Sequence, residues 1–326
     1  MPAGWRIGAL AGAFAGALAM CASAGAWAQQ VTLRGVNAFQ EGTAFAKPFE
    51  DFIEKVNADG KGVIRIQYIG GPKAMPPFEV GNAVKSGVVD IANVTSAFYT
   101  NLMPEAESLK LATQPIQQQR RSGAWEYLNK LHNEKMNVWY LARTGDGVPF
   151  HLYVNKPIDK ADLKGLTIRV TPIYRAFFAA LGANLVQTAP GEVYTALERG
   201  VVDGYGWPIQ GIFDLGWQEK TKYRVDPGFY QVDVNVLVNL DRWNKLTDAQ
   251  RDVLTKAAQW VEERNALNAQ INAAERKRQA EAGIRTIELK GAELEKWNTT
   301  AQEAGWAYVK EIAPKHADEL RKLLAP

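Results

Sequence analysis

Apolar and polar residues alternate over 31–37 (VTLRGVN), which marks a strand, and an apolar period of three to four over 45–58 marks an amphipathic helix. A second strand over 62–69 ends at Gly70-Gly71-Pro72, and a helix over 77–85 and a third strand over 88–95 complete a β-α-β-α-β series. That order predicts a parallel sheet whose carboxyl ends face a ligand crevice. Residues 104–131 read as helix and loop, with the polar run 117–121 a solvated face, and 138–142 is another strand. Residues 149–154 run extended toward Lys156-Pro157, a crossing between lobes. A second series follows: a strand around Arg169, a helix over 174–181, a strand over 184–188, a helix from Pro190 stopped by Gly200, and a strand over 201–207. Residues 229–240 are β in character and offer a return crossing. Thr247 opens a long helix reaching about Gly283 without sustained heptads, and helices over 292–312 and 316–324 close the chain.

The two series share a unit. Glu79-Val80-x-x-Ala83-Val84-x-x-Gly87-Val88-Val89-Asp90 recurs as Glu192-Val193-x-x-Ala196-Leu197-x-x-Gly200-Val201-Val202-Asp203, every position offset by 113 residues. A spacing that long points to two similar α/β lobes with a cleft between them, not to a solenoid. The crossings assign residues 29–150 with about 235–280 to lobe 1, and 151–234 with about 281–326 to lobe 2.

Composition adds compartment and exclusions. The chain has 326 residues, 47% hydrophobic and 22% charged, enough for two domains with sizeable cores. Arg6, the apolar run 7–22 and the small-x-small pattern Ala26-Trp27-Ala28 read as a signal peptide over 1–28, cleaved near Ala28, which implies a periplasmic protein. Cys21 lies inside that leader, where Leu18-Ala19-Met20-Cys21 is a weaker, lipoprotein-like alternative. The remaining chain then has no cysteine for disulfides, thiolate metal sites or a thiol nucleophile. Losing Arg6 takes the formal net charge from +3 to +2, too mild for a nucleic-acid partner.

Arg169 carries the chemistry. It stands among Leu166, Ile168 and Val170, neighbours that are usually buried, and a buried guanidinium needs an anion. Its planar fork suits a carboxylate. Asn37 with Phe39, and Thr95 with Ser96, fall at the carboxyl ends of predicted strands, either as ligand contacts or as strand-end hydrogen bonders. His151 on the crossing strand lines the cleft or serves the core. The three histidines are scattered, and no nucleophile elbow, phosphate loop, dinucleotide fingerprint or paired-histidine zinc motif appears. Ligand capture without a cofactor or a metal is the reading that remains, against a periplasmic enzyme acting on an organic acid in the same cleft.

LKGLTIRV, the LGA after it and EVYTALERGVVDG resemble the solute-binding proteins of tripartite ATP-independent periplasmic (TRAP) transporters, and the likeness covers nearly the whole chain after the leader. The resemblance implies a two-lobed, type II-like periplasmic binding protein that closes on an organic acid and delivers it to TRAP membrane permease subunits. It puts the carboxylate clamp on Arg169, and polar contacts on Asn37 and Thr95. Trp207, four residues after Asp203, would wall the pocket and favour a ring-bearing or apolar ligand, with Tyr174 and Phe39 adding aromatic surface. In the branch that binds 2-oxo acids through a metal an acidic ligand precedes that tryptophan; here Gly206 does. A second family arginine falls at Pro149, so a monocarboxylate, aromatic or a sugar acid, is expected over a dicarboxylate unless Arg143 or Arg175 substitutes. A monomer is expected. A binding protein for an ATP-driven importer is the alternative within transport.

Overall fold

The computed structural model describes residues 30–326; the leader expected over 1–28 lies outside the described residues. The chain begins β1 (Val31–Asn37), α1 (Lys47–Asp59), β2 (Ile64–Gly70), α2 (Val80–Ser86), β3 (Ile91–Val94), α3 (Ile116–Ser122), α4 (Ala124–Met136) and β4 (Val138–Thr144). It continues β5 (Phe150–Val154), β6 (Thr167–Val170), α5 (Arg175–Ala180), β7 (Asn184–Gln187), α6 (Val193–Glu198), β8 (Gly204–Pro208) and β9 (Tyr223–Asp226). β10 (Val234–Asn239), α7 (Leu240–Asn244), α8 (Asp248–Glu263), α9 (Asn268–Glu281), β11 (Arg285–Glu288), α10 (Gly291–Ile312) and α11 (Ala317–Leu324) complete it.

Two sheets form, with orders β2-β1-β3-β10-β4 and β11-β9-β5-β8-β6-β7. Within them β2-β1-β3 and β7-β6-β8 are parallel, so each lobe is built on the same β-α-β-α-β plan. Each plan is then extended by a strand arriving from the other lobe: β10 lies antiparallel between β3 and β4, and β5 antiparallel between β8 and β9. The exchange ties the lobes together through two sheets as well as through linkers.

The repeated unit does the same work twice. A 3-10 turn (Pro77–Glu79, Pro190–Glu192) leads into a short helix, and a glycine with φ of +76° (Gly87) or +66° (Gly200) ends it. The aspartate that follows then seats the neighbouring parallel strand. Asp90 accepts the Arg34 N–H at 2.7 Å, and Asp203 accepts the Thr167 N–H at 2.9 Å. The Lys156 ammonium and the Thr167 N–H lower the pKa of Asp203, so the charge that receives the strand is maintained.

One apolar core runs through both lobes, and a second, around Leu33, Phe52, Ile64, Leu254 and Val261, lies between the first sheet, α1 and α8. Each such side chain contributes roughly 1.5–3 kcal/mol of burial before chain entropy is charged against it.

Three features depart from the sequence expectation. Pro104–Leu111 is a buried 3-10 stretch. The long late helix breaks at the 3-10 turn Arg264–Leu267, so α8 packs on α1 and β4 while α9 reaches β11. β9 (YRVD) and β11 (RTIE) are short and mostly polar, and give no period to read. The sequence expectation places the chain end with lobe 2. β11 does pair with β9, but α10 packs on both Pro104–Leu111 and α5, and α11 packs on Pro104–Leu111, α3 and α4. No helix among the described residues is long and apolar enough to cross a membrane.

Candidate functional site

The carboxyl ends of β3, β6 and β8 converge on the space between the lobes. An inner chamber of about 20 Å³ is walled by six aromatic rings (Phe39, Phe45, Phe98, Phe150, Tyr174 and Trp207), with Thr95 and Thr171 supplying hydroxyls. An outer chamber of about 160 Å³ shares Phe39, Phe45 and Trp207 and adds Pro190, Gly211 and Asp214. Phe45 meets Trp207 edge-on across the cleft, with centroids 6.1 Å apart. Gly206 makes the lobe 2 wall possible: a Cβ there would lie 2.9 Å from Tyr174 Cδ2 and 3.1 Å from Phe178 Cε2. An acidic metal ligand at that position would have to push both rings aside. Among the described residues no group of three or more acidic, histidine or cysteine side chains is arranged to hold a metal ion.

Arg169 is fully buried and has no carboxylate partner among the described residues. Its Nε and Nη2 both donate to the Thr188 carbonyl, at 3.1 and 2.6 Å, and Nη1 has no hydrogen-bond partner. The guanidinium carbon stands 5.8 Å from the centre of the Trp207 ring, close enough for a cation–π contact. Burial pushes its pKa down to about 10, leaving it charged at neutral pH but short of a counter-ion. Thr171, two residues along and so on the same face, carries a buried hydroxyl without a partner, and so does the Trp207 indole N–H. Three polar groups that can donate are thus gathered without protein acceptors. Such a constellation favours a ligand rich in acceptors, a carboxylate first.

The other expected site residues divide. Phe39, Tyr174 and Thr95 line the inner chamber, and the Thr95 hydroxyl also accepts the Ala97 N–H at 3.3 Å to cap the turn after β3. Burial raises the Tyr174 phenol to about 12, so it stays neutral.

Asn37 and His151 line neither chamber, in contrast to the expectation of cleft contact, and Arg169 lines neither itself but stands against the Trp207 ring that walls both. The Asn37 carbonyl accepts from the Phe39 N–H and Asn93 Nδ2, each at 3.0 Å, and its amide reaches Ala46 O at 3.4 Å. Its capacity goes to holding the segment that carries Phe39 and Phe45. His151 sits 3.0 Å from Asp226, which also pairs with Arg224 at 2.8 Å and Arg276 at 2.7 Å. Burial opposes the charge on Asp226, yet His151 and Arg224 hold its pKa well below the usual carboxylate range. Neither candidate for a second clamp faces the chambers: Arg143 pairs with Asp146 at 2.5 Å, and Arg175 is exposed at the start of α5. Sequence reasoning missed Phe45, Phe98, Phe150, Thr171 and Asp214. Of these Thr171 had a signal, since it follows Arg169 at the strand period.

Paired lobes, exchanged strands and an aromatic cleft beside an uncompensated guanidinium define a two-lobed α/β solute-binding protein. The family model described as bacterial extracellular solute-binding protein, family 7, matches residues 36–311, and the chain belongs to that family, the TRAP periplasmic solute-binding proteins. Among curated relatives, a monocarboxylate 2-oxoacid-binding periplasmic protein of Nostoc sp. is 26% identical over 220 residues, 64% of this chain and 60% of that protein. A Roseobacter denitrificans TRAP periplasmic solute-binding protein with bound L-galactonate superposes with a TM-score of 0.78 at 22% identity, covering 91% of this chain and 99% of that one. A marine metagenome TRAP solute-binding protein specific for aromatic acid ligands, with 3-hydroxybenzoate, has a TM-score of 0.78 at 22% identity over 91% of this chain and 97% of that one.

Proposed function

We propose that this chain captures an organic acid in the periplasm after cleavage of its leader, and delivers it as a monomer to the membrane subunits of a TRAP symporter. Arg169 holds the carboxylate, and the observation that carries this reading is its buried Nη1 without a protein acceptor. Trp207 packs on the ligand body, Thr95 and Thr171 orient it, and Asn37 acts at one remove by shaping the Phe39–Phe45 wall. One unpaired cation serves one carboxylate, and a wall with six rings and two threonines gives a polyhydroxy chain few partners. A ring-bearing monocarboxylate therefore fits better than a sugar acid or a dicarboxylate. The family's binding role supports capture without catalysis.

Closure would bring the lobes, taken as 29–150 with about 235–280 and 151–234 with about 281–326, onto opposite faces of the ligand. A thermal-shift screen against benzoates, sugar acids, 2-oxo acids and dicarboxylates tests the proposal, since a ligand that binds only the folded state raises Tm by mass action. Shifts with aromatic monocarboxylates support it; shifts with dicarboxylates alone, or with no acid, contradict it.

A further inference from the structure

The inner chamber is fastened from behind by one buried ammonium. Every residue from Glu105 to Leu111 in the 3-10 stretch Pro104–Leu111 is buried, Glu107 and Lys110 among them. The stretch packs against the turn Ser96–Phe98 that follows β3, and that turn packs against Pro172–Tyr174, which follows β6. The two turns meet at the chamber. Ala97 and Phe98 line it from the first, Tyr174 from the second, and Thr171 stands just before the second.

Lys110 joins the parts that fix these turns. Its Nζ donates to a carboxylate oxygen of Glu107 and, at 2.6 Å, to the carbonyl of Ile173 in the second turn. The same nitrogen stands 5.0 Å from the centre of the Tyr230 ring, within reach of a cation–π contact. The Lys110 carbonyl accepts the Gln231 N–H at 3.0 Å, one residue before Val232, another chamber residue. A buried ion pair seldom repays its desolvation as stability, and its best-attested use is to select one arrangement among several. Here the arrangement is the placing of the Ile173 turn against a segment 63 residues earlier in the chain. A chamber of about 20 Å³ has room for about one water, so a small displacement of either turn changes what fits there.

We propose that Lys110 is a positioning residue for ligand capture. Through the Ile173 carbonyl it sets the separation of the two turns, and so the fit of the ligand between Phe98 and Tyr174, without touching the ligand. This rests on the reading of the chamber as part of the organic acid's site.

The test compares the mature wild type with Lys110→Met and with the double variant Glu107→Leu/Lys110→Met. The single variant leaves Glu107 buried without a counter-ion and loses stability for that reason alone. The double variant replaces the pair by apolar side chains of similar length, which restores the unliganded Tm, and it still lacks the bond to Ile173. Each protein is titrated calorimetrically with benzoate, gluconate, pyruvate and succinate, and amide hydrogen exchange is followed without ligand. In the double variant the expected Kd is weaker by about tenfold, the scale of one buried hydrogen bond, at a wild-type Tm. Faster exchange is expected at residues 171–175, while the centres of β1 and β6 keep their protection. Affinity that returns to the wild-type value together with Tm overturns the proposal, because the pair then only supports the fold. Unchanged exchange at 171–175 overturns it as well. Silence of all four acids on the wild type removes the capture reading, and the exchange result then decides by itself whether Lys110 fixes the turn.

Discussion

A guanidinium held out of water by one carbonyl and one indole face, just behind the cleft wall, is electrostatically incomplete and suited to an anion. Arg169 was legible from sequence because a cation amid Leu166, Ile168 and Val170 can only be explained by a partner. Asn37 and His151 sat at equally suggestive positions, but a strand end does not reveal which way its side chain is committed. A local turn claims Asn37 and an ion cluster claims His151. Asp214 stands in irregular chain with no period to expose it.

Asp233, beside the chamber-lining Val232 and Val234, carries a testable consequence. It accepts from the Ser96 N–H and hydroxyl, each at 2.9 Å, and from Asn235 at 2.8 Å, while burial pushes its pKa up to about 6. A carboxyl with its folded pKa above the unfolded value binds more protons folded than unfolded between those values. Its contribution to stability is therefore greatest below about pH 4 and declines as pH rises toward 6. Urea unfolding of wild type against Asp233→Asn should show the variant gaining in relative stability across that window, by on the order of 1–3 kcal/mol. A difference that does not vary with pH would contradict the assignment.

At the scale of elements, the duplicated Glu-Val…Gly-Val-Val-Asp unit was readable because a positive-φ glycine and a strand-seating aspartate are local requirements. The break in the long helix was not readable, because its cause is tertiary. Asn265, Asn268 and Asn272, spaced three and four apart, send their amides to the carbonyl of Arg143 near the end of β4 and to those of Asp146 and Gly147 in the loop that crosses to β5. From the second lobe, Gln210 donates to Asn268 at 3.3 Å and to Asn272 at 2.8 Å. The joint between α8 and α9 is thus fastened to the inter-lobe crossing by polar side chains. Asn268→Ala leaves both the Asp146 carbonyl and Gln210 short of a partner, at a cost of about 1 kcal/mol given partial exposure. Hydrogen exchange should quicken at residues 145–148 in that variant, while the centres of β1 and β6 stay protected. Uniform quickening would mean that the ladder supports the whole fold and not the crossing.

For the whole molecule, the two lobes and their cleft followed from a repeat offset of 113 residues, whereas the strand exchange did not, since pairing between distant strands leaves no periodic mark. The lobes meet at many polar points, among them Arg276 on Asp226 and Gln279 on the Ile209 carbonyl. Ala44 N–H donates to Asp214, and the Lys110 ammonium, paired with Glu107, donates to Ile173 O at 2.6 Å. A ligand touching both walls would add to these contacts and so favour the closed form.

The most direct test of the account is therefore a paired measurement on Arg169→Met: calorimetric titration with the acid that most raises the wild-type Tm, and unfolding of the unliganded protein. The expected result is a loss of binding on the order of 2–5 kcal/mol, together with an unliganded stability equal to or above wild type once a buried charge without a counter-ion is removed. Undiminished binding in Arg169→Met would contradict the carboxylate clamp outright.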